Sequence, residues 1–207
     1  IVAAVEEGRG IYDNIRKTLQ YLLAGSTGEL LLMTICVVVG LPSPLLPIHL
    51  LWINLVTDGL PALCLATDQI DADVMNRRPR SRAESITDHG FLRTMIVTGS
   101  LTAAITFLVF FVMLRTATTD QARSYAFATL VFAELLRAFG ARSETKPVWK
   151  ISLWTNRNLL LVIAVSFLLQ IASQQNPMLG RLLRTSSIPL TDCLVLLAIA
   201  ALPMFVL

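Results

Sequence analysis

Three residues with oxygen-bearing side chains, Asn54, Thr57 and Asp58, lie in the middle of a long apolar segment. An Asp at the centre of a membrane helix costs about 2.5–3.5 kcal/mol on insertion scales, so we expect it to face a partner, a cavity or an ion. The spacing of three and four residues places all three side chains on one face of an α-helix. Gly59 and Pro61 follow, and because Pro61 deletes a backbone donor and crowds the carbonyl group four residues earlier, we expect the helix to loosen here. Carbonyl groups freed in this way are good ligands for a hard cation.

Two further acids, Glu29 and Glu134, lie inside apolar segments, and the cost of a charge there predicts that both face the interior of a bundle. Gly25 and Gly28 stand beside Glu29 and would let a neighbouring backbone approach closely. Ser26 precedes Glu29 by one turn and should share its face. An oxygen-rich shell suits Ca²⁺ better than zinc or copper. The predicted metal ligands are Ser26, Glu29, Asn54, Thr57, Asp58 and Glu134.

Arg137 offers an alternative for one of these acids. It follows Glu134 by three residues, so on a helix the two side chains can form an ion pair that occupies the carboxylate. Alternatively Arg137 extends to the nearby membrane surface and leaves Glu134 free. The position of Arg137 about two residues from the predicted helix end favours the second arrangement.

Six apolar segments are long enough to predict membrane helices, and no strand pattern or repeat appears. Residues 1–20 are amphipathic and should continue the first helix outside the bilayer as a stalk. The sequence therefore predicts an all-α membrane protein with six transmembrane helices and a cytoplasmic stalk extension on the first. The predicted spans are 21–39, 45–66, 91–114, 125–139, 159–173 and 190–207.

The composition agrees with a membrane protein. A hydrophobic content of 55% and a mean hydropathy of +0.67 are too apolar for an ordinary soluble domain. The net charge of +3 comes from residues in loops and does not indicate a nucleic-acid-binding face. The predicted partner is therefore the lipid bilayer, and no nucleic acid is expected. The chain opens with Ile1 in a polar helix, which indicates a piece of a longer protein.

Basic residues in the short loops predict the orientation. One side of the membrane holds 13 of the 17 Lys and Arg residues, so we expect it to be cytoplasmic, together with both termini. The basic residues on this side are Arg9, Arg16, Lys17, Arg77, Arg78, Arg80, Arg82, Arg93, Arg137, Arg142, Lys146, Lys150 and Arg157. The other side has Arg115, Arg123, Arg181 and Arg184.

Several motifs, taken in order, resemble those of one family. They are Val5–Arg9 with Ile11–Lys17, then Gly28-Glu29, then the run from Leu50 to Pro61, and finally Arg77–Ser81. This series is similar to the last six membrane helices of a P-type cation ATPase of the calcium-pump type, closest to the sarcoplasmic-reticulum kind and its bacterial relatives. The resemblance spans the whole chain and places it in a plasma membrane, in bacteria the inner membrane.

The resemblance implies roles for individual residues. Glu29, Asn54, Thr57, Asp58 and Glu134 would match ion ligands, and Asn54 with Asp58 would also serve a second calcium site. Two acids after the second helix, Asp71 and Asp73, would match residues that couple this loop to the phosphorylation domain. In two-site pumps an Asn is usual where Ser26 stands, and a small polar residue where Arg137 stands.

The parts that would make an ATPase are missing from this sequence. It has no phosphorylation motif, no nucleotide domain and no counterpart of the first four membrane helices. We therefore expect that this fragment alone is not an enzyme, and that Mg²⁺ and ATP act only in the missing part. The implied partners are the N-terminal membrane helices and the cytoplasmic phosphorylation domain of the same pump. The alternatives are a P-type pump for Mn²⁺, Na⁺ or K⁺, a self-contained six-helix channel or secondary transporter, and a non-catalytic membrane scaffold.

Overall fold

A computed structural model describes residues 1–71, 73–77, 86–142 and 155–205 of the chain. Five of the basic loop residues used to predict the orientation, and the last two residues of the sixth predicted span, lie outside these ranges. The loop residues concerned are Arg78, Arg80, Arg82, Lys146 and Lys150.

The first helix, α1, runs from Val2 to Val39 without a break and so includes both the predicted stalk and the first predicted span. At 1.5 Å per residue it is about 57 Å long, against about 30 Å for the hydrocarbon core of a bilayer. The helix ends at Gly40, whose φ of 75° lies in the left-handed region that glycine adopts without strain. The helix is therefore much longer than a membrane span needs to be, and its polar N-terminal part is the length in excess.

The second predicted span is a helix with three parts. It begins as α2, Pro47–Trp52, continues as a π-helical segment, Ile53–Gly59, and ends as α3, Leu60–Ala66. The wider π-helical turn lies where Gly59 and Pro61 predicted that the helix would loosen.

The other predicted spans also coincide with helices, although their bounds differ by a few residues. They are α4, His89–Thr116; α5, Thr119–Gly140; α6, Arg157–Gln175; and α8, Leu190–Ala200, which continues as a 3₁₀ turn, Leu202–Phe205. The sixth span is thus shorter than predicted as an α-helix, because Pro203 cannot continue the hydrogen-bonding pattern. A short helix that we did not predict, α7, Pro177–Leu183, follows α6.

The prediction of an all-α fold is confirmed, since the described ranges contain helices and no strand. Within the described ranges, four helical elements are long and apolar enough to cross a membrane: Val2–Val39, Pro47–Ala66, His89–Thr116 and Arg157–Gln175. The segment Leu190–Met204 is apolar but shorter. The remaining predicted span, α5, has 22 residues, enough for about 33 Å, but carries two acids and two arginines.

Helix α5 forms the centre of the bundle, with 15 of its 22 residues buried. It packs against α4 and α8, and α4 in turn packs along α1. Its Phe127 and Leu130 join Tyr21, Leu32 and Phe110 in the main hydrophobic core. A helix that is covered on nearly all sides can hold charged side chains away from lipid, which explains how α5 accommodates Glu134 and Arg137.

Helices α1 and α4 meet at glycines. A Cβ atom placed on Gly28 would lie 3.2 Å from the carbonyl oxygen of Gly99, and one placed on Gly99 would lie 2.8 Å from the carbonyl oxygen of Ala24. The two backbones therefore approach too closely for a side chain, as small residues permit at membrane helix interfaces. This contact fixes the height of Glu29 in the bundle, because Gly28 directly precedes it.

We expect the substitution Gly99→Ala to lower the free energy of unfolding by about 1–3 kcal/mol, because the added methyl group meets backbone that cannot move freely. The matched control is Gly8→Ala in α1, where nothing lies within 4 Å of the new Cβ atom. That change should be neutral or stabilise the helix by up to about 1 kcal/mol. Unfolding of the detergent-solubilised protein measures both, and equal stability of the two variants would contradict the close contact.

Candidate functional site

The π-helical segment buries two of the predicted ligands. Asp58 is 3% exposed and Thr57 is fully buried, and the segment ends at Gly59 just before Pro61. The carbonyl group of Thr57 stands four residues before Pro61, so it loses its usual helical donor. It accepts a hydrogen bond of 3.0 Å from the hydroxyl group of Tyr21 on α1. The freed carbonyl predicted from the sequence is therefore present, with a side chain bound to it.

Tyr21 connects three elements at this point. Its hydroxyl group lies 3.5 Å from a carboxylate oxygen of Asp58, and its backbone carbonyl accepts a hydrogen bond of 2.8 Å from the Arg137 guanidinium. The same guanidinium stacks over the Tyr21 ring, 4.9 Å from its centre. The sequence analysis did not identify this residue, because a single Tyr at the start of an apolar run is typical of a membrane interface.

Arg137 points inward and forms an ion pair with Glu134. Arg137 is 2% exposed and Glu134 is fully buried, so the expectation that Arg137 extends to the membrane surface is wrong. The physical reason is the environment of α5, whose last turns are enclosed by α1 and α4. Gly25 makes room for the pair, because a Cβ atom there would lie 2.7 Å from the paired Glu134 oxygen and 2.9 Å from the Arg137 nitrogen.

The three membrane acids and Arg137 form one electrostatic cluster. Asp58 interacts electrostatically with Glu134, Arg137 and Glu29. Glu29 also interacts with Glu134 and Arg137. Three carboxylates and one guanidinium leave two negative charges unbalanced when every group is ionised. Buried charges of this kind are very costly without a counter-charge, so the cluster must take up protons or a cation.

Three buried oxygen atoms of this region have no hydrogen-bond partner in the structure: Thr57 Oγ1, Glu29 Oε1 and Glu134 Oε1. Buried polar atoms are almost always satisfied, so such atoms call for an explanation. Among the described residues, no three acidic, His or Cys side chains come together closely enough to hold a metal ion by themselves. The acids thus supply negative charge and free oxygens, without a closed cage.

Two predicted ligands do not join the cluster. Asn54 is exposed, and its side-chain amide donates a hydrogen bond of 2.8 Å to the carbonyl group of Leu50 on its own helix. The expectation of a shared buried face with Thr57 and Asp58 is wrong for Asn54, because the described helices leave its side of the segment uncovered. Ser26 is likewise exposed while Glu29, one turn later, is buried. At this level of the bundle, neighbouring helices cover the side of α1 that carries Glu29 and leave the side that carries Ser26 uncovered.

The predicted coupling acids lie beside the stalk. Asp71 forms an ion pair of 2.9 Å with Arg77, which also binds Asp13 of α1 at 2.6 Å. Asp73 lies in the same turn, whose backbone is contacted by Arg9 through the carbonyl group of Val74. The loop after α3 is thus attached to the polar part of α1 by charged side chains.

A second attachment point, at Asp68, was not found from the sequence. Asp68 is 7% exposed and binds Arg142 after α5 at 3.1 Å and Asn156 before α6 at 2.9 Å. Its carbonyl group accepts a hydrogen bond of 2.7 Å from Asn14 on α1. Four segments therefore meet at one buried residue, two of them through its carboxylate and α1 through its carbonyl group. The partners are 54 to 88 positions away in the chain, so no local pattern marks them.

Comparison with known proteins identifies a family for this arrangement. The family described as "Cation transporting ATPase, C-terminus" matches residues 42–207. A calcium-transporting ATPase of Bacillus subtilis is 38% identical over 209 residues, which cover 100% of this chain and 23% of that protein. Calcium-transporting ATPase 1 of Bacillus cereus is 33% identical, over 100% of this chain and 25% of its own length. Calcium-transporting ATPase type 2C member 2 of Mus musculus is 32% identical, over 97% of this chain and 22% of its own length.

The chain thus spans about a quarter of the length of these relatives. Its helices that are long and apolar enough to cross a membrane, together with this family, make it a multi-pass membrane protein. The family match covers most of the sequence, and the chain therefore belongs to the cation-transporting ATPases, of which it represents the C-terminal region.

Proposed function

We propose that this chain is the C-terminal transport domain of an ATP-driven calcium pump and supplies part of its intramembrane Ca²⁺ sites. The observation that carries the proposal is the buried cluster of Glu29, Asp58 and Glu134, which has two more negative than positive charges and oxygens without partners. A divalent cation would balance that charge, and carboxylate, hydroxyl and carbonyl oxygens are the ligands that Ca²⁺ prefers. The names of the relatives support calcium as the transported ion.

The proposed ligands fall into two groups. Glu29, Thr57, Asp58 and Glu134 lie in the bundle and would bind the ion from this side. Ser26 and Asn54 are exposed, so they are available to the rest of the pump, and the missing N-terminal membrane helices would complete their side of the site. This division is consistent with a cage that the described residues do not close.

The stalk is the proposed route of coupling. The helix that carries Glu29 is continuous with the stalk, and the stalk is held to the loop after α3 through Asp13, Arg77 and Asp71. Phosphorylation of a cytoplasmic domain outside this chain, where ATP and Mg²⁺ would act, could then move α1 as a rigid element. Asp71 and Asp73 would contact that domain. The ion site would open to alternate sides of the membrane as α1 moves.

Calcium uptake into inside-out vesicles from cells that express the full-length protein tests this function. We expect ATP-dependent accumulation of ⁴⁵Ca²⁺ that a calcium ionophore releases. Excess Mn²⁺ that abolishes uptake, or phosphorylation that depends on Na⁺ or K⁺, would favour a pump for another cation. Uptake that continues without ATP would instead favour a self-contained channel or secondary transporter.

We propose that both termini lie in the cytoplasm, with the protein in the plasma membrane, which in bacteria is the inner membrane. Single cysteines at Glu6 and Met75 should then be protected from an impermeant thiol reagent in sealed cells, and cysteines at Thr116 and Ser187 should react. The three native cysteines are replaced first, since Cys64 is only partly buried. Labelling of the Glu6→Cys variant from outside would overturn the orientation, and permeabilised cells provide the control for reactivity.

A further inference from the structure

A polar cavity of about 750 Å³ lies at the end of the bundle opposite the stalk. It is bordered by the turn before α2, the start of α5, the end of α6, and α7 with the loop that follows. The residues that matter for its chemistry are Asp120, Arg123, Gln174, Arg181, Arg184 and Ser186. None of them belongs to the proposed calcium site.

The cavity concentrates positive charge where the sequence otherwise avoids it. Only four arginines are expected on this side of the membrane, and three of them, Arg123, Arg181 and Arg184, line the cavity. Arg123 is paired with Asp120 and donates to the carbonyl group of Ser43. Within the described ranges the side chains of Arg181 and Arg184 have no ion-pair or hydrogen-bond partner, although the Arg184 backbone amide donates to the carbonyl group of Gly180. Two guanidinium groups are therefore available to an anion.

A buried amide group adds a second donor that lacks an acceptor. Gln174 is 3% exposed, and its side-chain oxygen accepts a hydrogen bond from the thiol group of Cys193 at 3.2 Å. Its Nε2 atom has no partner in the structure although the residue lines the cavity. An unsatisfied buried N–H group is costly, and an oxygen atom of a bound anion would satisfy it.

The wall of the cavity is held in place by hydrogen bonds. The carbonyl group at the end of α7, Leu183, lies 2.8 Å from His49 Nε2, and the amide of Ser186 donates to Ser124 Oγ at 2.8 Å. Gln175 binds the carbonyl group of Ile188 at 2.7 Å. The arginines therefore extend from a segment that is fixed to the bundle at several points, which favours a formed site over a mobile surface loop.

The surroundings favour a lipid over a soluble anion. On α7, Met178 is 80% exposed and Leu182 is 65% exposed, and Leu190 at the start of α8 is 58% exposed. A short helix with bare apolar side chains beside arginines is typical of an element that lies in the membrane interface. Its apolar residues would contact acyl chains while its arginines stand at the depth of the phosphate groups.

We propose that this cavity binds the phosphate headgroup of an anionic glycerophospholipid from the outer leaflet. Arg181 and Arg184 would pair with the phosphate oxygens, to which guanidinium groups bind in a bidentate manner, and Gln174 would donate to a further oxygen. Basic pockets between membrane helices bind anionic lipid headgroups on the cytoplasmic side of membranes, and the same pairing of charges would act here. The site is separate from the ion cluster, so the proposal does not depend on which cation the pump carries.

Native mass spectrometry of the full-length protein in detergent tests the proposal. We expect dioleoyl-phosphatidylglycerol to bind about tenfold more tightly than dioleoyl-phosphatidylcholine, and this preference to disappear in the double variant Arg181→Gln, Arg184→Gln. The matched control is Arg115→Gln, which removes the fourth arginine of this side, one that stacks on Phe111 away from the cavity. The control should keep the preference for phosphatidylglycerol. Gln174→Met should weaken it less than the double variant.

Two results would overturn the proposal. One is an equal preference for phosphatidylglycerol in the wild type and the double variant, which would mean that the lipid binds elsewhere. The other is binding of inorganic phosphate alone by the wild type, measured by calorimetry, without any preference for phosphatidylglycerol, which would identify a soluble anion as the occupant. Both substituted arginines are exposed, and unchanged thermal unfolding would establish that the variant is folded.

Discussion

The substitution Asp58→Asn is expected to weaken the calcium dependence of phosphorylation in the full-length pump, so that calcium concentrations which half-saturate the wild type give little phosphorylation. The change keeps the size of the side chain but removes a charge from a cluster in which Asp58 interacts electrostatically with Glu134 and Glu29. Calcium affinity depends on the number of charged ligands, so we expect the calcium concentration for half-maximal phosphorylation to rise at least about tenfold, or about 1.4 kcal/mol. Phosphorylation by labelled ATP over a calcium titration measures this directly.

Glu6→Gln provides the control for this experiment. Glu6 lies in the exposed first turns of α1, so its substitution removes one negative charge without touching the bundle, and calcium dependence should be unchanged. Phosphorylation by inorganic phosphate in the absence of calcium would verify that Asp58→Asn is folded. A wild-type calcium titration for Asp58→Asn would rule out Asp58 as a ligand.

The burial of Asp58 could be predicted because the cost of a charge in lipid holds whatever the neighbouring helices are. The loosening of the helix could also be predicted, since it follows from Gly59 and Pro61 alone. The exposure of Asn54 could not be predicted, because it depends on which side of the segment the neighbouring helices cover, and that arrangement is set by distant parts of the chain.

The parts of the structure that the sequence did not reveal depend on distant partners. Tyr21 and Asp68 acquire their importance from residues 36 to 116 positions away, and neither stands in a recognisable motif. Helix α7 is different, because Asn176 followed by Pro177 is a known start signal for a helix. In the structure, the Asn176 side chain caps the helix by accepting a hydrogen bond from the backbone amide of Met178. That signal was present but overlooked between two apolar segments.

The orientation of Arg137 could not be settled from the sequence, and it leads to the second large prediction. An arginine paired with Glu134 places a fixed positive charge next to the acids that would bind a second calcium ion. Like charges repel strongly at short distance in a low-dielectric interior. We therefore expect the wild-type pump to transport about one calcium ion per ATP, because the guanidinium group takes the place of the second ion.

In Arg137→Ala, the positive charge beside Glu134 is removed and the cluster can accept a second cation, so we expect the ratio to rise from about one towards about two calcium ions per ATP. The charge-preserving variant Arg137→Lys should keep the wild-type ratio. The double variant Arg137→Ala, Glu134→Gln should also keep it, since it removes the released carboxylate together with the arginine. Simultaneous measurement of ⁴⁵Ca²⁺ uptake and phosphate release in sealed vesicles gives the ratio for each protein. A wild-type ratio of about two that does not change in Arg137→Ala would exclude the arginine as a built-in cation, because an ion pair that blocks the site cannot coexist with two bound ions.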